Sequence, residues 1–466
     1  MVVRAPAFQE GLSWLNSDPL VLSELKGKYV LLDFFTFGCI NCLNNLHTIK
    51  KLYERFRDEL IVIGVHTGKF SHEKELESLQ DALLRYEITY PVINDPEHIV
   101  ADAYSARGWP TTILVDNRGY IAHHASGEQK LLEWTGRLSS CGLSAKYKQQ
   151  VDPEKSQTLL FPQKVFAAPN FLCIANTNAN EIWLSDYNGQ IIEVISADKP
   201  MGMAYRDNIL YICESDSISR YNVTTKSKQV LIKNLRNPYD IVIREDKIIV
   251  ALAGSHLINV YNIEMKTLIE SYGNKFEALR DGKADKCQLA QPSGLTQLDV
   301  ILYFVDAESS SLRMIQDGIV STLIGEGLYT YGDSNSGEIL LQHPQGLCAG
   351  VIGDGCGGGR LFIADTFNNK VKAYYPEDNS MITLLEDLNE PSGISKKGCE
   401  LYIANTNEHE IIVFDLSKME SRVMEFRFND EKKKELESTK EVKKPAWAVT
   451  LINTNLEQRA VILLLD

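Results

Sequence analysis

The chain has 466 residues, 44% hydrophobic and 24% charged, which exceeds what one ordinary core uses and excludes a disordered or fibrous chain. Its net charge of -14 is uneven, with 16 basic and 18 acidic side chains in residues 1–150 and 32 and 44 in the rest, so the second part lacks the Lys and Arg that nucleic acid requires. Residues 1–30 hold Glu10, Asp18 and Glu24 without a long apolar core, and no stretch approaches the ~18 apolar residues of a span; neither signal peptide nor membrane contact is expected, and the cytoplasm is.

In chain order, residues 29–35 are almost unbroken in hydrophobicity, as in a strand covered on both faces. The run ends at Cys39-Ile40-Asn41-Cys42, after which Leu46, Ile49, Leu52, Tyr53 and Phe56 recur at helical spacing. The cysteines then occupy the first turn of a helix, where free N–H groups and the macrodipole favour thiolate. Cys39, expected to be the more exposed, is the attacking thiol, and Cys42 resolves. A second strand is read at 60–67, a helix capped by Ser71 with Leu76, Leu79 and Leu83 on its apolar stripe, and a short helix at 97–106. Strands at 112–115 and 120–125 flank the turn Asp116-Asn117-Arg118-Gly119, and a helix follows at 128–140. A lone Cys-x-x-Cys without a second Cys/His pair does not make a zinc site. No metal and no cofactor are expected. The other seven cysteines are scattered within or beside apolar runs, as buried reduced thiols are.

Three features in combination resemble the thioredoxin superfamily: the Cys39/Cys42 pair at a strand-to-helix junction, Asp33 six residues before Cys39, and Trp109-Pro110-Thr111. The resemblance implies a redox-active Cys39–Cys42 disulfide, Asp33 as buried proton acceptor, and Trp109, Pro110 and Thr111 as a cis-proline loop that binds the substrate chain. Gly38 stands where thioredoxins have Trp, and Asn41 where they have Pro. Thr36-x-x-Cys39 echoes part of a peroxiredoxin motif, but Leu32 takes the place of its proline and Cys42 follows too soon.

From residue 160 the chain repeats itself. Six short apolar strands end in Ile174-Ala175-Asn176-Thr177, Ile212-Cys213-Glu214-Ser215, Val250-Ala251-Leu252-Ala253, Phe304-Val305-Asp306-Ala307, Ile363-Ala364-Asp365-Thr366 and Ile403-Ala404-Asn405-Thr406. Most are preceded by a proline with a small or acidic residue two positions on, as in Pro238-Tyr239-Asp240 and Pro292-Ser293-Gly294. The spacing suits four-stranded propeller blades. Insertions at 272–291 and 325–343 read as loops on one face, and the Asn, Asp and Glu at 176, 214, 306, 365 and 405 read as structural. The repeats resemble NHL repeats, and the third departs with Leu252 and Gly254 at otherwise polar positions.

The pairing of these two parts resembles the family of NHL repeat-containing protein two, including Gly64-Val-His-Thr-Gly-Lys-Phe70 and Arg85-Tyr-Glu-Ile-Thr-Tyr-Pro-Val92. That family's motif is typically Cys-Cys-Ile-Asn-Cys, with Gly38 replacing the first cysteine here, and its vertebrate members carry a further C-terminal β domain for which the chain leaves no room. The fold class expected is multidomain: an α/β thioredoxin-like domain over 1–150, an all-β six-bladed propeller over 160–426, and at 427–466 a charged connector with strands at 446–452 and 460–465 that pack on or close the ring. The function expected is thiol-disulfide exchange on protein substrates, an oxidoreductase activity, with the propeller and the cis-proline loop binding protein partners. The competing reading is a non-catalytic interaction scaffold with a vestigial thioredoxin-like domain.

Overall fold

The computed structural model describes residues 3–144, 158–325, 327, 340–350, 356 and 358–428. Its first part is built on β1 (Ser13–Leu15), β2 (Tyr29–Phe35), α1 (Ile40–Phe56), β3 (Leu60–His66), α2 (Ser71–Lys74), α3 (Leu76–Arg85), β4 (Val92–Asn94), α4 (Ile99–Ala103), β5 (Thr111–Val115), β6 (Ile121–Ser126) and α5 (Leu131–Ser140). The sheet order is β1-β4-β3-β2-β5-β6. β2, β3 and β4 run parallel, and β1, β5 and β6 pair antiparallel to their neighbours. Alternation along β2 sends Leu31 and Phe35 to the face covered by α1, α3 and α5, and Val30, Leu32 and Phe34 to the face covered by α4. Asp33 shares the first of these faces, beneath α1.

The predicted helix at Ser71 is two helices, and Ser71 is not its cap. Phe70 takes that place and the Ser71 hydroxyl donates to Gln342 Oε1, 3.1 Å away in the second part of the chain. Three-residue β1 and β4 are too short to carry a period and were not expected.

The second part is a six-bladed propeller of consecutive four-stranded antiparallel sheets. The innermost strands are Lys164–Ala167, Met203–Arg206, Pro238–Arg244, Pro292–Leu298, Gly346–Ala349 and Pro391–Lys397. The glycine two positions after the proline in four of the six repeats has a steric cause. A Cβ on Gly202 would lie 2.4 Å from Asp240 Cα, and one on Gly393 2.6 Å from Lys164 Cα, so inner strands of neighbouring blades meet through glycine. The insertion at 272–291 forms more than a loop, since Gly282–Lys283 adds a fifth strand to the outer edge of the fourth blade. Most of the insertion at 325–343 lies outside the described residues. The third repeat keeps its turn, Ala253–Ser255, despite Leu252 and Gly254.

The repeated polar positions have one job. Asn176, Glu214, Asp306, Asp365 and Asn405 each accept a hydrogen bond from the backbone N–H two residues before a repeat proline: Leu160, Asp198, Ala290, Gln342 and Asn389. Each clip fixes the loop so that the residue directly before the proline is held at positive φ. Phe161, Lys199, Asn237, Gln291, His343 and Glu390 lie between +44° and +68°, a region that non-glycine residues enter only when surroundings impose it.

At the seam, Ile191 N–H donates to Arg427 O and Arg427 N–H to Gly189 O, while Phe426 and Phe428 pack edge-on to Trp183 of the first blade. The tail strands expected at 446–452 and 460–465 lie outside the described residues. One cysteine expectation is corrected: Cys356 and Cys399 form a disulfide, joining a loop of the fifth blade to a hairpin turn of the sixth. Cysteine usage therefore does not point uniformly to a reducing compartment. Among the described residues no helix is long and apolar enough to cross a membrane.

Candidate active site

Cys39 is the N-cap of α1 and Cys42 lies in its first turn. Cys39 is the more exposed of the two thiols only marginally, and both are buried. It is 3% exposed and Cys42 2%, because the face of the propeller that carries the clipped loops is seated on the Cys39 loop. Both are thiols in the structure. The Cys42 thiol hydrogen-bonds the Cys39 sulfur, and this outweighs burial and, with the Lys69 ammonium adding to it, pushes the Cys39 thiol down to about 6. Burial, together with that same bond, pushes the Cys42 thiol up. Burial also pushes the Asp33 carboxyl up to about 7, against the pull of the Asn45 amide, which donates to Oδ1 at 3.2 Å from the next turn of α1. Asp33 therefore sits under the turns that carry the cysteines and titrates near neutrality.

The Trp109–Pro110 peptide is cis, and Thr111 starts β5, in register with Phe34 of β2. The Trp109 indole N–H donates to Thr67 Oγ1 at 2.6 Å, and Lys69 Nζ lies 5.1 Å from the centre of its ring. The Thr111 hydroxyl donates to Gly108 O at 2.7 Å. His66, beside the site, is buried, stacked on Phe37 and pushed down to about 4 by burial; it is a packed histidine, as is His123 against Trp134.

The residues that sequence reasoning missed come from α2 and from the propeller. Glu73 is the organiser of the Cys39 loop. Its Oε1 accepts from the Thr36 hydroxyl and, at 2.8 Å, from Gly38 N–H, and its Oε2 accepts from the N–H groups of Lys69 and Phe70 at 2.8 and 3.1 Å. Lys69 Nζ in turn meets both oxygens of Glu308 at 3.2 Å, with side chains 2% and 1% exposed. Burial drives the Glu308 carboxyl upward and Lys69 opposes it. Phe367 of the fifth blade joins the core of the first domain, packing on Phe37 and Phe70 and stacking on His72 and His343. Gly38 makes room for it, since a Cβ there would be 3.1 Å from the Phe367 ring and 2.9 Å from Glu73 Oε1. Ile40 packs against Tyr239 and Ala253 of the third blade. Three of the six pre-proline residues complete the contact. Gln291 bonds Gly38 and Ile40, His343 packs on Phe70, and Glu390 pairs with Arg85 and His72.

A thioredoxin-like domain closed through its Cys-x-x-Cys loop onto a six-bladed propeller is the class of protein that these elements define. The AhpC/TSA family model matches residues 3–124. NHL repeat-containing protein 2 of Bos taurus is 30% identical over 88% of this chain and 70% of its own length, and that of Homo sapiens 30% identical over 91% and 72%. The chain belongs to the NHL repeat-containing protein 2 family. Its first domain alone is also similar to the thiol-disulfide oxidoreductase ResA of Halalkalibacterium halodurans, 32% identical over 24% of this chain and 62% of that one.

Proposed function

We propose that the chain is a thiol-disulfide oxidoreductase acting on protein substrates, with residues 1–150 as the redox domain and the propeller over 160–426 as its partner-binding platform in the cytoplasm. The observation that carries this reading is the placement of Cys39 at the N-cap of α1, Cys42 in its first turn and buried Asp33 beneath them, an arrangement that pushes Cys39 down to about 6, Cys42 up and Asp33 up to about 7. At neutral pH the Cys39 thiolate attacks one sulfur of a substrate disulfide, forming a mixed disulfide and releasing the other sulfur as thiolate, which takes a proton. Cys42 then gives its proton to Asp33 and attacks Cys39, forming the Cys39–Cys42 disulfide and freeing the reduced substrate. The two electrons come from the Cys39/Cys42 dithiol. Trp109, Pro110 and Thr111 border this site and hold the substrate chain. The resemblance to the oxidoreductase ResA supports the reading.

The burial of both thiols favours a second reading, a scaffold in which the domain is a fixed part of the propeller. The experiment that separates them is trapping with Cys42→Ser, which leaves the attacking thiol without the one that releases the adduct. Discrete mixed disulfides that vanish in the Cys39→Ser/Cys42→Ser variant establish exchange. No adducts, with Cys39 alkylating only as fast as an ordinary thiol after unfolding, leave the scaffold.

A further inference from the structure

Exchange requires a substrate to reach Cys39, and among the propeller groups seated on its loop Gln291 is the one that bonds the backbone on both sides of it. The Gln291 carboxamide spans the residue: its Oε1 accepts from Ile40 N–H at 3.0 Å, and its Nε2 donates to Gly38 O at 3.2 Å. Gly38 C=O and Ile40 N–H flank Cys39, and beside the cis-proline loop they offer an extended backbone one acceptor and one donor at the thiol. One carboxamide supplies the same acceptor and donor pair. The orientation of the amide follows from its partners, because only the oxygen can meet an N–H and only the nitrogen can meet a carbonyl.

Gln291 is also held as a rigid probe. Its N–H donates to His256 Nδ1 at 3.1 Å, its C=O accepts from Ala307 N–H at 3.1 Å and from the Ser293 hydroxyl at 3.0 Å, and its φ is +68°. His343 Nε2, 3.3 Å from Gln291 Nε2, fixes the far side of the amide. Nothing in the repeat itself demands glutamine here, since the equivalent positions are Phe161, Lys199, Asn237, His343 and Glu390.

We infer that Gln291 is an internal pseudo-substrate, occupying in cis the place of a substrate's main chain, so that the propeller regulates the site and exchange begins when it lifts from the Cys39 loop. This deepens the proposed exchange and rests on it for the identity of the displaced group; the occlusion itself does not.

The test uses the reduced full-length chain and iodoacetamide, with Cys39 modification read by peptide mass mapping. Cys39 of the parent chain is expected to react at least roughly 100-fold more slowly than in the urea-unfolded chain at the same pH, as a site reached only by opening. Gln291→Gly keeps the turn, because glycine accepts its φ, and loses both hydrogen bonds. It is expected to speed the reaction about 10-fold or more. Parent Cys39 reacting as fast as in the unfolded chain overturns the inference, and so does an unchanged rate in a folded Gln291→Gly. Should that variant not fold, Gln291→Met, which keeps the side-chain length and loses the same bonds, gives the same two outcomes. A variant that opens Cys39 to iodoacetamide but, combined with Cys42→Ser, traps no disulfide-bonded peptide leaves occlusion standing and overturns both the pseudo-substrate role and the exchange reading. Trapping that already proceeds at full rate with Gln291 present overturns the inference alone.

Discussion

Glu390→Ala should uncouple the two domains. The Glu390 carboxylate is fully buried between them, with Arg85 Nη1 at 2.6 Å on Oε2 and His72 Nε2 at 3.1 Å on Oε1. Removing one partner of a buried pair costs about 3–5 kcal/mol, because the remaining charge stays desolvated. A second route gives a similar size. Burial alone would raise the carboxyl, but Arg85 and His72 prevail and bring it from 4.5 down to about 2, which at 1.36 kcal/mol per pH unit is about 3 kcal/mol. In urea, with a slope of ~2 kcal/mol per M, the first unfolding transition should move down by about 1.5–2 M. The pH dependence has a fixed sign. A carboxyl whose folded value is depressed stabilises the fold above its unfolded value, so this contribution is present above pH 4.5 and lost between about 4.5 and 2. Urea melts at pH 7 and at pH 3, followed by tryptophan emission, should therefore show a large gap between parent and variant that narrows in acid. Arg85→Met/Glu390→Leu should recover much of the loss, since an apolar pair leaves no stranded charge. A gap at pH 7 below about 1 kcal/mol, well under the expected range for a buried pair, or one that does not narrow in acid, would refute the assignment of this pair as a principal clamp.

Asp33→Asn should act in the opposite direction on stability. The folded carboxyl is raised from 3.8 to about 7, so its ionisation destabilises the fold as pH rises through that interval, and the variant should be more stable above pH 7 by up to about 4 kcal/mol while matching the parent near pH 4; equal melts at pH 8 would remove Asp33 from the buried site. The same variant should slow disulfide closure by Cys42 at pH 7, measured by single-turnover quench. Thiolate absorbance at 240 nm should titrate with a midpoint near 6 from Cys39 and move upward in Cys42→Ala, which removes the hydrogen-bond partner that lowers it most; a midpoint that stays put assigns the effect to the helix terminus instead. Gly38→Ala should destabilise the closed form by about 1–3 kcal/mol, the usual range for overpacking, because the new methyl meets Phe367 and a Glu73 carboxylate pinned by four donors; its readouts are the urea midpoint and the rate of Cys39 alkylation.

What the sequence made legible was what local pattern encodes. The apolar run ending at Cys39 is β2 (Tyr29–Phe35), the six repeated segments each end the second strand of a blade, and Pro110 is cis. What it hid was the closure of one domain on the other. Gln291 and Gly38 are 253 residues apart, and His72 and Glu390 are 318 apart, so no periodicity or spacing joins them. The near-complete burial of Cys39 was hidden for that reason, since the clipped loops of the propeller that cover its loop lie far away in sequence. A weak signal was present. The residue before each repeat proline changes chemistry from blade to blade while the proline itself and the positive φ before it recur, which is how a framework presents variable contacts. The Cys356–Cys399 pair was hidden as well, because cysteines 43 residues apart in different blades carry no motif.

The two thiols of the site show how much of its chemistry is placement. Cys39 and Cys42 are three residues apart and both almost wholly buried, so desolvation pushes both upward. Lys69 pulls both downward. What divides them is the bond between the two sulfurs, which lowers Cys39 more than burial raises it and adds to the burial that already drives Cys42 upward. Lys69 then makes the state of Cys39 sensitive to docking, because its ammonium faces Glu308 of the propeller as well as the thiol. Cys39 and Glu308 compete for one cation, and each raises the cost of charge on the other. Were the propeller lifted from the loop, Glu308 would leave with it, and Cys39 would gain exposure and lose a competitor for the Lys69 ammonium together.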